Sequence, residues 1–228
     1  MPQKVHIYAW TIIAVGVFIA ACAGISWRPD DPAATLVCLV LAMLASTFKI
    51  KLPGLTGTIS PSFVFVLVAV GRLSFSETVF IGAAAALVQS LWRPKVQPSR
   101  LQLGFNCATL AIAGGLAHGV AHGLLSASVV IPNGLPLMVS GLVLLVTNTM
   151  LVAIILCLIQ KSPLYRAWRS IQLWSVPYYV AGGVLAHVWA QAPLTSSISV
   201  AILAVMSTYL LSISYRGFVG MVGAQASA

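Results

Sequence analysis

From Leu135 to Gln160 the chain carries no charged side chain. A helix of about 20 apolar residues crosses the roughly 30 Å hydrocarbon layer of a bilayer. Seven further apolar runs follow the same pattern: Ile7–Trp27, Ala33–Phe48, Ser60–Gly71, Glu77–Trp92, Gly104–Leu125, Trp174–Ala192 and Thr195–Tyr215. The second, third and fourth in chain order are short, as a locally thinned bilayer allows. Charged residues make up 7% of the 228 residues, against about 25% in a soluble domain. This excludes a soluble globular enzyme, a disordered chain and a disulfide scaffold. Twelve cations diluted among 60% apolar residues also make no nucleic-acid-binding face. The expectation is an all-α, polytopic transmembrane bundle of about eight spans, forming a single integral domain over residues 1–228.

Pro53, Gly54, Gly57 and Pro61 interrupt the approach to the third run. Leu52–Ser60 is therefore expected as an unwound entry, buried against helices or lining a cavity, because irregular backbone is not tolerated against lipid. The first run is too long for a signal-peptide core and is read as a retained span. With the amino terminus inside, ten of the twelve basic residues fall on the inner side, leaving Arg28 and Arg72 outside. The acids Asp30, Asp31 and Glu77 also fall outside. The excess of inner cations predicts an N-in/C-in orientation. The net charge of +9 then describes orientation and attraction to anionic inner-leaflet lipid.

Leu164, Trp168 and Ile171 share a helical face between runs six and seven. Lys161–Leu173 is expected either as an in-plane surface helix or as a plain basic loop. Small residues recur at four-residue spacing: Gly16, Ala20 and Gly24; Gly82 and Ala86; Ala111, Gly115, Gly119 and Gly123; Gly182, Ala186 and Ala190. Such stripes let helix backbones approach closely, within the chain or, for the fifth run, between two copies. Cys22, Cys38, Cys107 and Cys157 stand singly inside runs, which fits buried apolar thiols rather than a redox or zinc motif.

Ionisable groups inside a membrane are functional candidates. No acid lies mid-run, which argues against a proton relay, and Arg72 with Glu77 reads as a local salt bridge or a pair of boundary anchors. His118 and His122 stand four apart on one face, and His187 lies at a similar depth, roughly 20 Å from the inner ends. These three imidazoles could hold Zn²⁺ or Cu²⁺, and His118 with His187 could hold a haem; interfacial hydrogen bonding is the plainer alternative. Thr56, Thr58, Ser60, Gln89, Asn106 and Asn148 are the candidate ligand-binding set. With Trp92, Phe105, Tyr178 and Tyr179 they could line a pocket for a neutral ring-shaped molecule, or they could join helices by hydrogen bonds. No nucleophile elbow, HExxH, carboxylate pair or Walker loop occurs, so no enzymatic chemistry and no named cofactor is assigned.

Lys51-Leu-Pro-Gly-Leu-Thr-Gly-Thr-Ile-Ser-Pro-Ser-Phe-Val-Phe65, with Ala83–Trp92 and Phe105-Asn106, resembles the multi-span amino-terminal module found ahead of GGDEF or HD-type bacterial signalling domains. The likeness runs over residues 45 to 120 and implies a sensing or anchoring role. The chain ends soon after its last run, so the resemblance implies a free-standing relative that acts through a cytoplasmic signalling partner or through its own bound molecule. Ile59–Gly71 and the Gly/Ala-rich helix after it are also similar to substrate-binding membrane subunits of energy-coupling-factor vitamin transporters. That resemblance implies the alternative role, binding a small solute for an ATPase partner. A His-ligated metal or haem membrane protein is the third expectation.

Overall fold

The computed structural model describes residues 3–29, 31–51, 58–94, 96–126, 134–161, 163–192 and 198–225. Among them lie eight helices: α1 (Gln3–Ile25), α2 (Pro32–Ser46), α3 (Ser62–Arg72), α4 (Phe75–Leu91), α5 (Arg100–Ser126), α6 (Leu135–Gln160), α7 (Leu164–Gln191) and α8 (Ile198–Gln225). Each apolar run of the sequence has its helix. The regular structure of the described residues is helical except for one short hairpin, β1 (Ile50–Lys51) paired antiparallel with β2 (Thr58–Ile59). Gln3–Ile25, Arg100–Gly123, Leu135–Gln160 and Ser199–Phe218 are long and apolar enough to cross a membrane. The apolar helices α2, α3 and α4 are shorter.

Local chemistry sets the helix ends. Asp31 accepts from the Ala34 amide at 3.0 Å, and Pro32 opens α2 with a preset φ. Ser74 and Glu77 form a reciprocal capping box that starts α4. Gly134 begins α6 at φ +96°, and a Cβ there would lie 3.0 Å from the His187 ring. Conformation and crowding together favour glycine at this position. Of the two expectations for Lys161–Leu173, the helix is the one found, continuous with the seventh run. Residues from Leu164 onward form the first turns of α7, because no glycine or proline interrupts the chain before Pro177. Proline inside a helix of this kind is tolerated where neighbouring groups satisfy the freed carbonyl.

The centre of the fold is α3. Every side chain from Ser62 to Val70 is buried, most of them completely. A helix apolar on all faces must be surrounded, and α2, α4, α5, α6 and α7 pack around it. With 11 residues it is about 16 Å long, roughly half of the hydrocarbon layer. The β1–β2 hairpin precedes it and pairs its own backbone, which explains how an irregular entry is accommodated among helices. Residues 52–57 of the expected unwound stretch lie outside the described residues.

Side-chain contacts give the helix directions. Ile13 meets Gly104 and Gly16 meets Ala108, so α1 and α5 are parallel. Phe63 meets Gly182 and Ala190 meets Gly71, so α3 and α7 are parallel too. Asn106 bonds Ser90 while Phe75 meets Gly115, which makes α4 and α5 antiparallel. Trp189 bonds Ser207 and Tyr178 meets Tyr215, so α7 and α8 are antiparallel. Direction therefore alternates along the chain. One pole collects Asp31, Arg72 and Glu77, and the opposite pole collects Lys49, Arg93, Arg100 and Arg216.

The small-residue stripes serve contacts within the chain at Gly16, Gly82, Gly115 and Gly182. At Gly119 a side chain would meet nothing within 4 Å. The outward faces are apolar. On α7 Val176, Val180, Val184 and Val188, each four residues apart, are 41–58% exposed. On α6 Met138 and Leu142 are equally open.

Candidate functional site

The polar groups expected to bind a ligand gather around the amino-terminal end of α3, but they bond to one another. Ser60 donates to Gln89 Oε1 at 2.8 Å and shares a second bond with Ser62 at 2.8 Å. Gln89 Nε2 donates to the Thr58 carbonyl at 2.9 Å. Gln89 thus clamps β2 and the α3 entry to α4. Thr58 contributes its carbonyl, and its side chain lies exposed. Thr56 lies outside the described residues. At the next residue of α4, Ser90, Asn106 on α5 donates at 3.0 Å, and Ser90 in turn donates to the Ala86 carbonyl. The position of Pro61 at the N-cap leaves α3 without a side-chain cap, so Ser60 and Ser62 are its nearest polar groups.

On the other side of α3 stands an aromatic wall. Phe63 stacks on Tyr179 with centroids 4.0 Å apart and meets Tyr178 edge-on at 5.3 Å. Its ring fills the space above Gly182, where a Cβ would lie only 2.1 Å from Phe63 Cζ. Asn148 on α6 hydrogen-bonds the Tyr179 hydroxyl. The Tyr178 ring continues to Tyr215 on α8 at 4.7 Å, and Tyr215 to Phe218 at 5.8 Å.

The amino-terminal half of α7 groups Trp168 and Tyr178 with Ser175, which sequence reasoning passed over. Trp168 Nε1, Ser175 Oγ and Tyr178 Oη are buried and have no hydrogen-bond partner among the described residues. Residues 168, 175 and 178 are seven and three apart, so they share one face of the helix. Ser175 and Tyr178 are fully buried. A buried donor without a partner costs about 1–3 kcal/mol, and such groups are rare enough to need an explanation. The signal was present in the sequence as a polar and aromatic set at helical spacing. It was hidden by dividing Trp168 from Ser175 and Tyr178 at an expected loop boundary. Thr78 Oγ1 on α4 is a fourth atom of this kind, apart from the α7 face.

The histidines do not form the expected ligand set. His118 and His122 stack with centroids 4.0 Å apart. The His118 Nε2–H donates to the Leu73 carbonyl at 3.1 Å, and that of His122 to the Val70 carbonyl at 3.2 Å. A short interior helix exposes its last carbonyls, and two imidazoles from α5 satisfy them. His187 instead packs against Gly134. Among the described residues no group of three or more His, Cys, Asp or Glu side chains could hold a metal.

The expected Arg72–Glu77 salt bridge is also replaced. Arg72 donates to the Ala192 carbonyl at the end of α7. Glu77 is 1% exposed and accepts from the Ser74 amide at 2.8 Å, the Ser74 hydroxyl at 2.7 Å and Thr35 on α2. The carboxylate ties α2 to the start of α4. Compared with family models, with curated proteins and with solved structures, the chain finds no match in any of the three.

Proposed function

We propose that the chain is an integral membrane protein of eight bilayer-embedded helices, with both termini on the cytoplasmic side of a bacterial inner membrane. It serves as a non-enzymatic sensing or regulatory module that binds a small molecule within the bundle. The apolar outward faces of α6 and α7 support the membrane setting, since a water-facing surface does not carry valines at every fourth position. The pole that collects the cations supports the orientation.

The observation that carries ligand binding is the row of unpartnered donors on α7, Trp168, Ser175 and Tyr178. Tyr178 meets Phe63, which stacks on Tyr179, the partner of the Asn148 amide. Aromatic faces with a few fixed donors suit an uncharged molecule bearing two or three acceptor oxygens or nitrogens. Ser60 and Gln89 lie across α3 and act on the site through the helix entry they clamp.

The β1–β2 hairpin sits at the cation-rich pole, where Arg216 donates to the Lys49 carbonyl and Ser212 reaches the Phe48 carbonyl. A transport component that takes solute from outside would need its capping connection at the opposite pole. This favours sensing over transport. Native mass spectrometry of the purified chain tests the reading. A non-covalent adduct of constant small mass, lost in Ser175→Ala/Tyr178→Phe, is expected. A wild type that releases only detergent and lipid would refute it.

A further inference from the structure

At the basic pole three cations from separate parts of the chain converge. Lys49, between α2 and β1, donates from Nζ to the Trp92 carbonyl at the end of α4. Arg216 on α8 donates from Nη2 to the Lys49 carbonyl at 2.8 Å. Arg93 lies over the Trp92 ring with its guanidinium carbon 5.5 Å from the centroid, and it takes φ +40°, a conformation few residues with a side chain adopt.

These carbonyl contacts orient the three groups without cancelling any charge. After them Lys49 keeps two N–H donors and Arg216 keeps four. Among the described residues no carboxylate compensates; the chain has only three acidic side chains. Asp31 caps α2 and Glu77 is enclosed by Ser74 and Thr35, both at the other pole. Asp30 adjoins Asp31. Partial burial also holds the Lys49 ammonium below the usual lysine range. An ammonium disfavoured in this way gains from a nearby anion. Topology alone places cations at this pole; it does not require Lys49 to reach the Trp92 carbonyl, Arg216 the Lys49 carbonyl and Arg93 the Trp92 ring.

We propose that Lys49, Arg93 and Arg216 form a binding site for a phosphate monoester or diester group, with Trp92 as its apolar floor. Guanidinium forks match phosphate oxygens in pairs, and Trp92, 45% exposed, has the amphipathic ring favoured at a headgroup boundary. The phosphate comes from the headgroup of an anionic lipid or from a soluble phosphorylated molecule. The site is separate from the α7 row, and only its lipid source rests on the membrane reading.

The test uses the full chain in zwitterionic detergent with two probes, phosphatidylglycerol and glycerol 3-phosphate. Native mass spectrometry reads the first, and thermal protection reads the second. Arg93→Gln/Arg216→Gln is compared with Lys161→Gln, a cation at the same pole outside the cluster, and with Arg216→Lys. A cation near an anionic surface contributes about 1 kcal/mol, so each one removed should weaken binding about fivefold. The double variant is expected to lose about 25-fold in affinity for at least one probe, while Lys161→Gln matches the wild type and Arg216→Lys keeps most of it. Loss for phosphatidylglycerol alone assigns a lipid headgroup; loss for glycerol 3-phosphate assigns a soluble phosphate. Equal losses in the double variant and Lys161→Gln, or no loss for either probe, would overturn the site. Arg93 and Arg216 are exposed, so the variants should elute as the wild type does, which a sizing column checks.

Discussion

Gly182→Ala tests the closest approach in the core. A Cβ at this position would lie 2.1 Å from Phe63 Cζ, 2.5 Å from Cε2 and 3.2 Å from Val64 Cγ2. Phe63 has no room to retreat, being 2% exposed and held between Tyr178 and Tyr179. Overpacking a filled core costs about 1–3 kcal/mol. With two ring atoms inside 3 Å, the upper end, about 3 kcal/mol, is expected. Gly183→Ala is the internal control, because a Cβ there meets nothing within 4 Å. Both substitutions gain the same helix propensity, about 1 kcal/mol, which cancels in the comparison. Heating in detergent followed by fluorescence-detected size exclusion should place Gly182→Ala roughly 6–12 °C below Gly183→Ala. Phe63→Leu should recover part of the loss in the Gly182→Ala background and destabilise the wild type. Equal midpoints for the two alanine variants would refute the packing of Phe63 on Gly182, and with it the position of α7 against α3.

Other outcomes follow from single contacts. Tyr178→Phe removes a buried unpartnered hydroxyl, so the ligand-free protein should gain about 1 kcal/mol while ligand protection falls; thermal midpoints before and after extraction of bound molecules read both. His118→Ala/His122→Ala leaves the Leu73 and Val70 carbonyls without donors and should cost about 1–3 kcal/mol for each, whereas added Zn²⁺ should leave the wild-type midpoint unchanged. Gln89→Ala frees β2 from α4, and limited proteolysis should then cut within the hairpin faster than in the wild type.

The helices were legible because a charge-free run of sufficient length has few alternatives, and all eight runs from Ile7 to Tyr215 have their helices. The continuity of α7 was missed because Arg166 and Arg169 look like a loop when only apolarity is scored, although nothing between Leu164 and Pro177 stops a helix. The Ser74–Glu77 capping box was written in the sequence at its proper spacing, yet Arg72 nearby drew attention to a salt bridge. The histidines could not be read correctly without the fold. Their partners, the Val70 and Leu73 carbonyls, are backbone groups on another helix, and no residue type announces a carbonyl. The α7 donors share that difficulty, since an unpartnered hydroxyl is visible only once its neighbours are placed. Gln89, Ser60 and Asn148, singled out as polar groups within apolar runs, pair within the chain.

The most direct measurement of the central claim, a membrane bundle with its basic pole inside, uses the native lysines. Lys4, Lys49, Lys51 and Lys161 belong to that pole. A membrane-impermeant amine reagent applied to intact cells, with peptide mapping by mass spectrometry, should modify none of them. The same reagent on inverted vesicles should modify Lys4 and Lys161. Modification of either residue in intact cells would contradict the topology and the account built on it.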